Sequence, residues 1–182
     1  NRGVLSGFLG SWDESQFFGG LEVKNFEALW SNRFGVRHSI SVNSASSAIQ
    51  IALRAVGIGT GDEVIVSPYS MSVSASAPLM WGAIPIFADI DPNHYNITPE
   101  SIKSKITAKA KAIVVVHILG CPADMDEIMQ IAKESNIAVI EDASQAPGAT
   151  YKGKSVGALG DIGIFSLNVH KHIQAGDRKS VV

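Results

Sequence analysis

Residues 160–177, GDIGIFSLNVHKHIQAGD, decide the fold. A compact apolar run over 162–167, bounded by Gly160 and by polar residues, has the length and composition of a buried strand. The segment leaving it leads straight to Lys171, so a lysine is set at a strand's exit. A second apolar run, 137–140, ends in Glu141-Asp142 and places an acid at the carboxyl end of a different strand. Open α/β sheets bind their ligands at such ends. A buried amine able to form a Schiff base, an acid near it and small hydroxyl residues upstream are the parts a pyridoxal phosphate (PLP) site requires. Lysines are more often solvated surface charge, and spacing alone leaves both readings of Lys171 open.

Outward from this stretch, apolar runs of strand length alternate with segments of helical period. Upstream lie a hairpin-like TYKGKSVG at 150–157, a helix over 124–135 and a strand over 112–117. Further back come strands over 84–88 and 63–67, separated by the small-residue helix SMSVSASAPLMWG at 70–82. A strand over 38–42 runs into NSASSAIQIALRAVG at 43–57, a helix capped by Asn43 or Ser44 with Ile49, Leu53 and Val56 on one face. Val23, Phe26, Leu29, Trp30 and Phe34 fall at helical spacing before Gly35, and predict an amphipathic helix. Residues 1–20 are rich in Gly, Ser and aromatics without a period and read as a loop or arm, leaving 21–182 as one domain. Regular alternation of this kind yields an α/β fold with mostly parallel strands joined by right-handed crossovers.

Two tempting motifs fail on context. Gly57, Gly59 and Gly61 close a helix and lead into a strand, whereas a dinucleotide-binding fingerprint leaves a strand and opens a helix. Asp89, Asp91, Asn93 and Glu100 fit four positions of a calcium loop, but His94 occupies its glycine position and a strand precedes it, so a turn followed by a Thr98-Pro99-Glu100 helix start is the better reading. The helix start near Ser44, Ser46 and Ser47 offers free backbone N–H groups and hydroxyls to a phosphate, although an ordinary serine cap has the same sequence.

Composition narrows the function classes. At 182 residues, 46% hydrophobic and 18% charged, the chain suffices for one core but not comfortably for two. Fifteen basic against seventeen acidic residues leave a net charge of -2, and no basic run exceeds Arg178-Lys179, so charge recruits neither nucleic acid nor an anionic membrane. The single Cys121 cannot form an internal disulfide, in keeping with a cytoplasmic location. No apolar run reaches the length of a membrane span. His170 and His172 flank Lys171 without further ligands at metal spacing, so no metal is expected. The chain begins without methionine, which suggests a fragment or processed form.

Taken as a set, GIGTGDEVIVSPYS, ADIDPNHYNI, GCPADMDEI, VIEDASQAPGATYKGKSVGALGDIGIFS and NVHKHIQAG resemble the sugar-nucleotide aminotransferases of the DegT/StrS type, within the fold-type I PLP enzymes. The resemblance implies a fold-type I large domain, a mostly parallel sheet with helices on both faces, here lacking the family's small C-terminal domain. It implies an antiparallel strand after the lysine, between the first strand and the one ending at Ser166, which Val181-Val182 would begin. Lys171 matches the lysine that carries PLP and moves a proton between the donor's Cα and the cofactor; its amine must be neutral for that step, so a lowered pKa is expected. Asp142 matches the acid paired with the pyridine nitrogen, and Gln145 the residue beside the 3-hydroxyl. Ser166, with Ala45-Ser46 in place of the family's Gly-Thr pair, matches the phosphate-binding set, and Met71 falls where an aromatic ring usually stacks on the cofactor, a place Tyr69 would otherwise fill.

The implied activity is transfer of an amino group, from glutamate, to a nucleotide-linked keto sugar by a cytoplasmic homodimer. Competing readings are another PLP reaction on the same site, dehydration or amination of a cyclic ketone; a non-catalytic regulatory protein keeping the fold; and a fragment inactive by itself because its sheet and dimer are incomplete. A related dehydratase branch has histidine in place of the lysine, and Lys171 here favours transamination. The family's Gly-Glu-Gly-Gly after the lysine is replaced by Gly176-Asp177-Arg178-Lys179.

Overall fold

The computed structural model describes residues 20–175 and 180–181. Residues 1–19, nearly all of the expected arm, and the Gly176-Asp177-Arg178-Lys179 segment lie outside the described residues. The chain divides into two compact units, Asn1–Ser41 and Val42–Val182. In the first, helix α1 (Leu21–Phe34) ends at Gly35, whose φ of 68° gives the left-handed cap that a side chain would strain. The amphipathic expectation holds only in part: Trp30 is buried, while Leu29 is exposed. Phe26, Trp30 and Phe34, spaced at i, i+4, stack along one another, with centroids 5.5 and 4.7 Å apart. Glu27 Oε1 accepts from both the backbone N–H and the hydroxyl of Ser41, at 2.7 Å each, tying the end of the unit back to α1.

In the second unit strands and helices alternate as the apolar runs require. After β1 (Ser41–Val42) come α2 (Ala45–Ala55), β2 (Glu63–Val66), α3 (Val73–Met80), β3 (Ile84–Phe87), α4 (Pro99–Lys105), β4 (Ala110–Val116), α5 (Met125–Ser135), β5 (Ala138–Asp142), the hairpin strands β6 (Thr150–Tyr151) and β7 (Lys154–Ser155), β8 (Ile162–Ser166) and β9 (Ser180–Val181). The expected strand over 38–42 shortens to the two residues of β1. The main sheet has the order β1-β9-β8-β5-β4-β2-β3. The pairs from β8 to β3 are parallel, and β9 pairs antiparallel with β8, Phe165 opposite Val181. The strand expected after the lysine is therefore present, and in its expected place.

Alternation along the strands builds two apolar layers. Val64, Val66, Val114, Ile140 and Ile164 pack with Ala48, Ile49 and Leu53 of α2 and Ala77 of α3. Ile65, Ile113, Val115 and Val139 pack with Ile102 of α4 and Ile128 of α5 on the opposite face. Each fully buried Ile or Leu contributes about 1.5–3 kcal/mol. Gly57 at φ 87° terminates α2, and Ile58 N–H reaches back to Leu53 O at 3.0 Å, so the glycines at 57–61 do close a helix. Asp91 Oδ1 accepts from the N–H groups of Asn93 and His94, and Thr98 Oγ1 caps α4 through Ser101 N–H, which makes 89–100 a turn and helix start.

The approach to β8 depends on glycine. A Cβ on Gly163 would lie 1.8 Å from the carbonyl oxygen of Gly157, a backbone atom that no side-chain rotation moves away. Gly163→Ala is therefore expected to destabilise the protein by about 3 kcal/mol. Chemical denaturation checks this, and a loss under about 0.5 kcal/mol, typical of unconstrained surface positions, would contradict the close approach.

Candidate active site

The carboxyl ends of the parallel strands open into a cavity of about 460 Å³. All seven residues picked out as site candidates, Ala45, Ser46, Met71, Asp142, Gln145, Ser166 and Lys171, line it. They come from four places in the chain, the starts of α2 and α3 and the ends of β5 and β8, so the sheet is what brings them together.

One side of the cavity suits an anion. Ser44 is the N-cap of α2, extended at φ -160°, and its Oγ accepts from Ser47 N–H at 3.1 Å. The cap leaves the N–H groups of Ala45 and Ser46, first and second in the helix, without an intrahelical acceptor. These donors, the positive end of the helix dipole and the hydroxyls of Ser46 and Ser166 border one cavity. Ala45 lies in the helix and has no positive φ, so alanine in place of glycine costs no backbone strain.

Another wall carries a buried acid. Asp142, the last residue of β5, is 6% exposed, and its Oδ1 accepts from Ser144 N–H at 3.0 Å. Among the described residues its other oxygen takes no hydrogen bond, and no cationic side chain lies within ion-pair distance. A carboxylate so enclosed calls for a donor or a cation from a ligand. Gln145 is oriented by the backbone: its Oε1 accepts from Leu119 N–H at 2.8 Å, which leaves the amide NH₂ as its free hydrogen-bonding group.

The lysine is placed by a turn. Past Ser166, Asn168 Oδ1 accepts from His170 N–H at 3.1 Å and Asn168 O from Lys171 N–H at 2.9 Å, while Ala175 N–H closes back on Leu167 O at 3.1 Å. Lys171 is thereby returned to the cavity wall, beside His170. It is half-buried rather than buried, because it sits in this turn beyond the sheet and not within β8. His172 is exposed and is not among the lining residues.

The family profile described as the DegT/DnrJ/EryC1/StrS aminotransferase family matches residues 8–178. The chain belongs to this family. It is 49% identical over 159 residues to Protein MosB of Rhizobium meliloti, covering 87% of this chain and 31% of that protein. It is 41% identical over 180 residues to a UDP-N-acetyl-3-dehydro-alpha-D-glucosamine 3-aminotransferase of Acidithiobacillus ferrooxidans, covering 98% of this chain and 49% of that one. Its fold superposes on the X-ray structure of an aminotransferase from Psychrobacter cryohalolentis with a TM-score of 0.88 and 42% identity, over 91% of this chain and 42% of the other. The chain thus spans half or less of the relatives it matches. The sheet and its flanking helices are the fold-type I large domain of the family.

Against the family pattern one expectation changes. Tyr69 does not substitute for the stacking ring: it is absent from the cavity lining and packs on Tyr95, centroids 5.4 Å apart, while Met71 lines the cavity and is largely exposed. Sequence reasoning passed over Asn168, whose signal was a turn-forming asparagine two residues after a strand. It also passed over the far side of β5. Glu141 is fully buried, and its carboxylate accepts from His117 Nε2 at 2.9 Å and from the N–H groups of Gly157, Leu159 and Gly160 at 2.8, 2.7 and 2.6 Å. His117 Nδ1 accepts from Ala123 N–H at 3.1 Å, which fixes the proton on Nε2 for donation to Glu141.

Burial opposes the charge of Glu141, yet the His117 and backbone donors outweigh it and hold its carboxyl below the usual carboxylate range. A group with a folded pKa below its unfolded value contributes stability that is full above the unfolded value and is lost as pH falls through the folded one. Wild-type stability should therefore fall on acidification below about pH 4.3, and Glu141→Gln should flatten that limb. Denaturation midpoints across the acid range check this; parallel limbs would contradict it.

Proposed function

We propose that this chain is the cofactor-binding large domain, residues 21–182, of an aminotransferase that uses PLP to move an amino group from glutamate to a nucleotide-linked keto sugar. The observation that carries the proposal is Asp142, a buried carboxylate with one oxygen open to a cavity that Lys171 also lines. The residues present fit PLP: Asp142 offers an acceptor to a protonated pyridine nitrogen, Gln145 NH₂ a donor to the 3-oxygen, and the start of α2 with Ser46 and Ser166 offers donors to the phosphate. Relatives include a nucleotide-sugar aminotransferase, and similar solved structures are described in PLP and PMP forms.

When bound, the cofactor supplies an electron sink for the pair left as a proton departs the donor's Cα. Asp142 keeps the ring nitrogen protonated and so maintains that sink. Lys171 Nζ, at the cavity wall, would hold the cofactor and would serve as the base that moves the proton leaving the donor's Cα. Ser46, Ser166 and the α2 amides would hold the phosphate group. A homodimer in the cytoplasm is part of the proposal; among the described residues no helix is long and apolar enough to cross a membrane.

The test is product analysis. The full-length enzyme that contains this domain, with PLP and glutamate, should aminate a UDP- or GDP-linked keto sugar and release 2-oxoglutarate. Amination of non-sugar cyclic ketones alone, dehydration, or no product with any ketone of the panel would overturn the proposal.

A further inference from the structure

Behind the wall that holds Asp142 lies a buried polar network for which the proposed chemistry has no direct use. Glu141 and Asp142 are consecutive in β5, so their side chains leave opposite faces of the sheet. Asp142 lines the cavity, whereas Glu141 reaches His117 and the turn at 157–160 that leads into β8. Both Glu141 oxygens are saturated: Oε2 by His117 Nε2 and Gly157 N–H, Oε1 by Leu159 and Gly160 N–H. His117 is joined to β5 twice, through its ring to Glu141 and through its backbone N–H to Asp142 O at 3.1 Å. Three segments meet here: the end of β4, the end of β5, and the entry to the strand that carries Ser166 and leads to Lys171.

Room for adjustment is small. A Cβ on Gly160 would lie 2.8 Å from Val139 O, so the turn is pressed against β5 as well as bonded to Glu141. A network of fully satisfied groups in a low-dielectric interior is rigid, and rigid second-layer partners are what hold a ligand-binding group in a productive geometry.

We propose that Glu141 and His117 form a positioning pair that sets the reach of Asp142 into the cavity and its alignment with Ser166 and Lys171. The inference rests on the PLP reading of the cavity. Glu141 touches no ligand; it acts through the backbone of β5 and through the turn before β8. His117 supplies one of its four donors and bridges to Asp142 through the backbone.

The test compares wild type with His117→Leu, His117→Gln and Glu141→Gln, reading thermal stability without cofactor, the PLP dissociation constant and the visible spectrum of bound PLP. Leucine removes the donor to Glu141, whereas the glutamine NH₂ can restore it. His117→Leu should weaken PLP binding about tenfold, the factor that about 1.4 kcal/mol of lost positioning represents. It should also shift the visible band, and His117→Gln should recover both. Glu141→Gln turns an NH₂ toward backbone donors and should move the same readouts further; if it fails to fold, the His117 pair still decides. Lower stability in His117→Leu with wild-type PLP affinity and spectrum would mean a structural role alone and overturn the proposal. Failure of the glutamine variant to recover affinity would overturn it as well. Absence of PLP binding in wild type itself would remove the function proposal, and this inference with it.

Discussion

Replacing Lys171 by alanine is expected to abolish amino transfer while leaving the fold intact. Lys171 sits in the Asn168 turn, half-buried, with a backbone hydrogen bond that alanine preserves, so little packing is lost. Stability should change by no more than about 0.5 kcal/mol. The chemistry has no substitute, because among the described residues Lys171 is the one lysine lining the cavity. General acid–base catalysis alone accounts for about 10²–10⁴ in rate, and covalent tethering of the cofactor is lost as well. Turnover should fall by on the order of 10⁴ or more. His170, also at the cavity, has an imidazole in reach of solvent, and turnover near the wild-type level in the variant would transfer the proton role to it and contradict the assignment.

Asp142→Asn is expected to separate activity from stability. Asparagine has the same shape, and its Oδ1 can still accept from Ser144 N–H. What disappears is the charge that would keep a pyridine nitrogen protonated, and with it the electron sink. Loss of one well-placed electrostatic partner costs on the order of 10²–10³ in rate. Without cofactor the sign reverses: Asp142 is 6% exposed with no cationic partner among the described residues, and removing an uncompensated buried charge relieves a desolvation penalty. The variant should thus melt at or above the wild-type temperature as apoprotein, yet gain less stability from added PLP. Paired melting curves and initial rates check this. An unchanged rate, or an apoprotein that melts well below wild type, would contradict the role given to Asp142.

The layered α/β architecture was legible because it depends on runs of apolar residues whose length and flanks are local. The segments over 63–67, 84–88 and 112–117 each become a strand close to the residues expected, with β4 buried along most of its length. Where the signal is longer in range, reading fails. Asp142 and Lys171 stood out through the motifs around them, since an acid and a lysine 29 residues apart carry no signal of convergence until a sheet aligns their strands.

The partners of Glu141 were invisible for a different reason. Three of its four donors are backbone N–H groups 16 to 19 residues ahead, and a backbone donor leaves no mark on residue type beyond the glycines that allow close approach. His117 closed an apolar run and read as the last residue of a strand, although it is fully buried with both ring nitrogens engaged. A charged residue inside an apolar run is the cue that would have drawn attention to β5, because such a group must find partners. The orientation of Gln145 was likewise hidden, as it depends on the N–H of Leu119, a residue held at φ 52° in a turn that no local pattern announced.

The most direct test of the central claim is reduction of the PLP-loaded protein with borohydride, followed by peptide mass spectrometry. The account predicts a visible absorbance band that borohydride removes and one pyridoxyl adduct, on Lys171. An adduct spread over surface lysines, or one confined to a residue outside the cavity, would contradict it.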